Sequence, residues 1–438
     1  MRPGARIAAL IEVTHEIEEG IRTAGAPADV LVSNYFRARR YAGSKDRRAI
    51  TQFVYDMLRQ RELVLWILKF TNSTGTPRAM VLCYLTLFGA DQLAFFGEEG
   101  GYGPETLSAS EAQLVEGIAA VDLDTAPEHV SCNLPEWALA GFEERFGDDW
   151  LVAAKSLNQQ APVDLRLNTI KTQDRVPFLA DLEGFEPTPL SPIGVRSAKN
   201  IALGGIQPYK QGKLEVQDEA AQVACLLVGA KPGMQVADMC AGAGGKSLTV
   251  AGAMQNKGQI HAFDISGKRL DGLKKRIQRA GARNIQVTKL SLAVESRSEA
   301  LQGLEGRCDR VLVDVPCSGT GTWRRSPDQR WRQDEKALND LNQSQQSLLT
   351  EASRLVKADG RLYYMTCSVL PQENEAIVSA FLKANSDWSL QDYRELWQAE
   401  IGEDAPETDA SLPKCLQLTP ASHQTDGFFV AVLGRLAA

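Results

Sequence analysis

Residues 236–247 read VADMCAGAGGKS. Val236 and Ala237 run into Asp238, Gly242, Gly244 and Gly245 crowd the next few positions, and Lys246-Ser247 opens a new segment. That is a strand, a tight loop and a helix start. In open parallel sheets such a βα turn lies on the ligand-binding rim, beyond the carboxyl ends of the strands. Three ligand classes compete for a glycine loop. The phosphate-loop pattern needs a glycine five residues before Gly245, where Cys240 stands, and so it fails. The dinucleotide fingerprint G-x-G-x-x-G is met by Gly242 and Gly244, but Ser247 takes the third glycine's place. The third class is S-adenosylmethionine, whose amino-acid end and ribose lie over such a loop without a pyrophosphate. Asp264 closes the next apolar run, HAFDIS, where a carboxylate can accept both ribose hydroxyls. The competing view is a bare strand–helix turn, and Asp264 at that position weakens it.

The same alternation extends outward. MQVADMC, GQIHAFDIS, NIQVTKL, CDRVLVDVPC and GRLYYMTC are short apolar runs. KSLTVAGAMQ, KRLDGLKKRIQRAG and LNQSQQSLLTEASRLVKAD are helical segments lying between them. This spacing predicts βαβ units and a mostly parallel sheet. GFFVAVLGRL, near the end of the chain, reads as a strand that pairs antiparallel at the sheet edge. Upstream the texture differs. IAALIEVTHEIEEGI, RAITQFVYDMLRQRELVLWIL and PRAMVLCYLTLFG repeat apolar residues at helical spacing, with Ser44 expected as an N-cap. Residues 1–150 are therefore expected to be all-α, 151–213 a small α+β linker with strands at VDLRLNTIK, and 214–438 the parallel-sheet domain.

Composition sets outer bounds. A chain of 438 residues has room for two or three domains. No apolar run approaches the roughly 20 residues of a membrane helix, and no signal-peptide core is visible, so a cytoplasmic protein is expected. The eight cysteines form no Cys-x-x-Cys pair and do not cluster with the four histidines, which speaks against a metal site or a disulfide framework. A net charge of −7 argues weakly against a nucleic-acid partner, but the charge is uneven. FRARRYAGSKDRRA (36–49) and WRRSPDQRWR (323–332) interleave cations with aromatics, which suits phosphates and unstacked bases. For the first segment a solvated helix face is an equal alternative. For the second the RNA reading is preferred, because the loop follows Cys317 directly.

Cys317 and Cys367 each follow a strand, on the rim that carries the glycine loop. Free cysteines are usually small buried hydrophobes, which accounts for Cys83, Cys225 and Cys308. It accounts less well for two at loop positions bordering a ligand site. Cytosine C5 is a poor nucleophile. A thiolate adding to C6 makes the ring an enamine, whose C5 can attack an electrophilic methyl group. A carboxyl group at N3 and N4 would stabilise charge pushed into the ring, and Asp314 stands three residues before Cys317. Lys246 can set a cation against the base. A second thiol can assist when the first is expelled.

DMCAGAGGK, DVPCSGTG, MTCSVLPQENE and the late DGFF together resemble the motifs of the RNA cytosine-5 methyltransferases of the RsmB/NOP2/Sun family. The resemblance covers Val216–Ala438, and LEVQDEAAQ also matches. The helical front end resembles the NusB-like domain of bacterial members. The resemblance implies a Rossmann-like class I methyltransferase domain with a mostly parallel seven-stranded sheet. It implies Cys367 as nucleophile, Cys317 assisting release, and Asp314 and Lys246 on the target base. It also implies S-adenosylmethionine over Cys240, Ala241, Gly242, Ala243, Gly244, Gly245 and Lys246, with Asp264 on the ribose and Arg269 and Asp314 among the donor contacts. The partner implied is RNA, small-subunit ribosomal RNA ahead of tRNA, bound by a monomer without metal. A non-catalytic RNA-binding assembly factor is the alternative of a different class. Two departures stand out. Ala243 replaces a proline frequent in the family, and VTKLSLAVES (287–296) has no carboxylate before Glu295 for the adenine, whose contacts then fall to other groups such as backbone.

Overall fold

The computed structural model describes residues 1–98, 100, 102–197, 201, 203–402 and 404–436. It divides into a helical unit, made of Met1–Glu143, Gly147–Gln159 and Trp323–Glu335, and a sheet unit made of the remainder.

The helical unit packs the apolar stripes foreseen above. Val13 and Ile17 on helix Pro3–Arg22, Val54 on Ser44–Arg59, Ile67 on Arg61–Phe70 and Leu82 on Pro77–Phe88 meet in one core. The long helix expected over 48–68 breaks at Gln60, where Asn133 inserts. Its Nδ2 donates to Gln60 Oε1 at 3.0 Å and its Oδ1 accepts from Leu63 N–H at 3.2 Å. Gly43, not Ser44, occupies the N-cap position of Ser44–Arg59.

The sheet unit contains two sheets. The smaller is antiparallel, in the order β2-β3-β1-β4, from β1 (Val163–Leu167), β2 (Glu186–Pro187), β3 (Gly194–Ser197) and β4 (Leu214–Val216). The linker boundary expected at 213/214 therefore falls inside this sheet, because β4 pairs with β1.

The larger sheet has eight strands: β5 (Gln235–Asp238), β6 (Gln259–Asp264), β7 (Ile285–Lys289), β8 (Cys308–Asp314), β9 (Val356–Thr366), β10 (Trp388–Gln391), β11 (Leu416–Leu418) and β12 (Phe428–Arg435). Seven follow one path, β10-β12-β9-β8-β5-β6-β7, and β11 pairs with β12 off it. The five strands from β9 to β7 are mutually parallel, and β12 runs antiparallel to β9. The expectation of β12 as an edge strand is corrected. It lies between β9 and β10, with β11 also bonded to it. It is buried from Phe428 to Gly434, so both its faces are covered and it reads as a continuous apolar run. The edge strand WSLQ was too short to register as a strand. Helix Tyr393–Glu400 buries Tyr393, Leu396 and Trp397.

The segment WRRSPDQRWR is corrected too. Trp323 is 1% exposed, Arg324 6% and Arg330 1%. Trp323 packs edge-on to Trp137 and stacks on Phe142. The Arg330 guanidinium donates to Asn133 O, Asn158 Oδ1 and Leu157 O and lies over the Trp323 ring. These residues serve the core of the helical unit and present little to an RNA. Composition alone did not distinguish a cation–aromatic surface from a buried arginine between tryptophans. The first segment is the more exposed. Arg37, Arg40, Lys45 and Arg48 face solvent, with Tyr41 74% exposed among them.

Candidate active site

Parallel pairing of β8 with β9 sets Asp314 beside Met365. Each chain then leaves the sheet, β8 through Val315-Pro316 to Cys317 and β9 through Thr366 to Cys367. Val315 N–H still donates to Met365 O at 3.0 Å, so the two exits run side by side. Pro316 carries no N–H and cannot extend the ladder. The outcome is a contact of 3.3 Å between Cys317 Sγ and Cys367 Sγ. Both cysteines are partly exposed, whereas Cys83, Cys225, Cys308 and Cys415 are buried. The Cys317 thiol is pushed well above the ordinary cysteine range by its contact with Cys367, by burial and by the nearby charges of Cys367 and Glu373.

Lys246 and Asp314 also meet. Lys246 Nζ donates to Asp314 Oδ2 at 2.5 Å and stands 4.9 Å from the centre of the Phe428 ring. Burial alone would lower the lysine, but the charge and hydrogen bond of Asp314 outweigh it and hold Lys246 above the ordinary range. The cation is therefore fixed between the glycine loop, β8 and the DGFF motif.

The glycine loop has the shape its sequence demands. Gly242 and Gly244 adopt φ of +54° and +84°, a region that side chains rarely enter. A Cβ on Gly244 would come within 2.1 Å of Leu273, so this glycine is a packing requirement. A Cβ on Gly242 would meet nothing nearer than 3.9 Å, and the space above the loop is open there. Asp264 Oδ2 accepts from Gly242 N–H at 2.9 Å and its Oδ1 from Ser266 N–H at 2.7 Å. The carboxylate thus orders the loop and retains lone pairs for a ligand.

Asp238, at the end of β5, escaped the sequence reading. It is buried, its Oδ2 accepts from Ser247 Oγ at 2.6 Å, and its Oδ1 has no partner. Burial pushes its carboxyl up to about 6, with the Ser247 hydrogen bond opposing. The signal was present as an acidic residue ending the first strand of the βα turn. An orphaned acceptor, an open glycine cradle and an Asp264 carboxylate together fit the amino-acid and ribose ends of S-adenosylmethionine. Ile265 and Leu292 are large apolar side chains left 49% and 76% exposed just past the ends of β6 and β7. They leave apolar surface exposed beyond these two strand ends. Cys240 and Ala241 turn the chain at the loop's start, and burial raises the Cys240 thiol well above its ordinary range. Ala243 O and Gly245 O accept from Arg276 and Thr249 at 2.9 and 3.0 Å. Arg269 is not drawn in. Its side chain is exposed and makes no hydrogen bond to a described residue.

Among the described residues no His/Cys/Asp/Glu group is arranged to hold a metal ion, and no helix is long and apolar enough to cross a membrane.

A parallel sheet with a glycine loop and an acidic residue at the end of the following strand is the architecture of a class I methyltransferase. A family model described as 16S rRNA methyltransferase RsmB/F matches residues 225–434. The probable ribosomal RNA small subunit methyltransferase B of Synechocystis is 34% identical over 310 residues, covering 69% of this chain and 66% of that protein. The ribosomal RNA small subunit methyltransferase B of Yersinia pestis is 30% identical over 414 residues, covering 88% of this chain and 90% of that one. The crystal structure of PH0851 aligns over 99% of both chains, with a TM-score of 0.78 and 26% identity. The chain belongs to the RsmB/F methyltransferase family.

Proposed function

We propose that this protein transfers a methyl group from S-adenosylmethionine to C5 of a cytosine in small-subunit ribosomal RNA, with Cys367 as nucleophile. The observation that carries this reading is the 3.3 Å contact between Cys317 and Cys367 at the ends of adjacent parallel strands. A structural cysteine needs no such partner, and the chemistry uses one thiol on C6 and a second beside it for release. Relatives named for small-subunit ribosomal RNA support the substrate over tRNA.

When bound, the donor supplies an electrophilic methyl group. The residues that would hold it are Gly242, Asp264 and Asp238, with Ile265 and Leu292 at the adenine. Cys367 gives up its thiol proton to water and its Sγ bonds to C6 of the base, raising electron density at C5. Asp314 accepts from N4 of the base, and the Lys246 ammonium that it holds stabilises the negative charge that enters the ring. C5 takes the methyl group and its proton passes to water. The C5=C6 double bond re-forms as the S–C6 bond breaks, the Cys317 S–H protonates the departing Cys367 sulfur, and Cys317 regains its proton from water. The target base must be flipped from its RNA context to reach two thiols on this rim. The helical unit is read as the NusB-like RNA-binding domain, with the exposed Arg37–Arg48 face toward phosphates.

The test supplies donor with a labelled methyl group, together with small ribosomal subunits, naked 16S RNA and tRNA, and locates the product by bisulfite sequencing. Label at one cytosine of the ribosomal RNA is expected. Label confined to tRNA overturns the substrate, and no label in any RNA favours the assembly-factor alternative.

A further inference from the structure

One buried acid near the thiols has no part in the chemistry above. Glu373 is 0% exposed. Its Oε1 accepts from Ser318 N–H at 2.8 Å and from Gln345 Nε2 at 3.0 Å, and its Oε2 accepts from Ser318 Oγ. Every one of these partners is a donor, so the group sits as a carboxylate. Among the described residues it has no cationic partner. Glu375, two residues on, pairs instead with Arg145.

A carboxylate buried without a cation is costly, and chains keep one where it has work to do. Two of its three bonds go to Ser318, the residue joined to Cys317, while Glu373 itself lies six positions past Cys367. The loops are laced together around it. Thr320 Oγ1 contacts Ser368 Oγ at 3.0 Å and accepts from Val369 N–H at 2.9 Å. Gly321 N–H donates to Cys367 O at 2.9 Å. The other titratable groups facing this site are accounted for. From β9, Tyr364 donates its hydroxyl to Glu373 O at 2.6 Å, and burial first, then the charges of Glu373 and Cys317, hold it a neutral phenol. From the glycine loop and β8, Lys246 and Asp314 neutralise each other. Gln345, on helix Glu335–Ser353, is neutral. Glu373 is then the uncompensated charge beside the pair.

We propose that Glu373 is a positioning residue for the two thiols: it clamps the Cys317 loop against the Cys367 loop through Ser318, and its fixed negative charge keeps the shared proton on Cys317 so that Cys367 is the sulfur that ionises. The nearby charge also contributes to the raised position of the Cys317 thiol, after contact with Cys367 and burial. The assignment explains how two cysteines in contact take different roles. It rests on the methyltransferase reading for its purpose and not for its test.

The test measures alkylation of Cys317 and Cys367 by iodoacetamide in the full chain, from pH 6.5 to 9, resolved by peptide mass spectrometry. Neither RNA nor donor is present, so failure of methyl transfer and failure of this proposal are separate results. The wild type is expected to label Cys367 about tenfold faster than Cys317 near neutral pH, a difference of about one pKa unit. Glu373→Gln keeps the shape and removes the charge, and the preference should fall toward one. Glu373→Asp keeps the charge and should retain most of it. An unchanged preference in Glu373→Gln, an equal fall in both variants, or faster labelling of Cys317 in the wild type overturns the proposal. Should Glu373→Gln not fold, Ser318→Ala decides. It removes one hydrogen bond and leaves the charge, so the preference should survive, and its loss would overturn the role of the charge.

Discussion

Gly321 and Gly427 lie backbone to backbone, and Gly427 N–H donates to Gly321 O at 2.8 Å. A Cβ on Gly321 would come within 2.3 Å of Gly427 O, and one on Gly427 within 2.5 Å of Gly321 Cα. Gly321 also donates to Cys367 O. One residue thereby joins the DVPCSGTG, MTCSV and DGFF segments, which lie far apart in the sequence. Gly321→Ala forces backbone against backbone. A loss of about 1–3 kcal/mol in urea unfolding is expected, with methyl transfer falling as well. Unaltered stability would mean that the two backbones can separate without cost.

Donor binding should depend on Asp264 in a way that separates its two duties. Asp264→Ala loses ribose hydrogen bonds to a charged acceptor, about 1.5–3 kcal/mol each, so affinity should drop at least about tenfold. It also frees Gly242 N–H. Asp264→Asn keeps an acceptor for the loop and should fall between. Calorimetric titration with unchanged affinity in Asp264→Ala would remove this residue from the site.

Asp238 gives a pH signature. Its folded carboxyl, raised to about 6, lies above the ordinary value of about 3.9. The folded state therefore favours the protonated acid, and this contribution is full below about pH 3.9 and lost as pH rises through about 6. Asp238→Asn escapes that loss. Relative to the wild type it should gain stability between pH 5 and pH 7.5, by an amount on the order of 1–1.5 kcal/mol. Urea midpoints for both proteins across that range check it, and a constant difference contradicts it.

The two arginine-rich segments should behave oppositely. Replacing Arg37, Arg40 and Lys45 by Gln should weaken RNA binding and flatten its salt dependence, by roughly 0.7–0.9 of slope for each phosphate no longer neutralised. Arg330→Met should leave the slope alone and destabilise the helical unit, because three oxygen acceptors lose their donor in a buried place. Burial has already pulled Arg330 down to about 9. Filter binding at several salt concentrations, beside thermal unfolding, distinguishes the two.

Much of the parallel sheet was legible because its strands are continuous apolar runs ending at glycine or proline turns. Asp264, Lys246, Asp314, Cys317 and Cys367 were legible because each ends or follows such a run. Asp238 and Glu373 were not, because a single acid carries no sign that it is buried without a cation. Arg269 lies exposed, and its place in the sequence does not fix where its side chain points. WRRSPDQRW misled because a buried arginine between tryptophans and an exposed RNA-binding loop share a composition. The internal place of β12 depended on WSLQ, four residues with only Trp388 fully buried.

The roles of Cys317 and Cys367 are tested most directly on a denaturing gel after incubation with RNA and donor. Cys317→Ala should still bond Cys367 Sγ to C6 and transfer methyl, then stall because the sulfur is not released, giving a retarded protein–RNA band that survives denaturant. Cys367→Ala should give no band and no product, and the double variant should give neither. A trapped band from Cys367→Ala with none from Cys317→Ala would reverse the two roles, and full activity in both single variants would contradict thiol catalysis altogether.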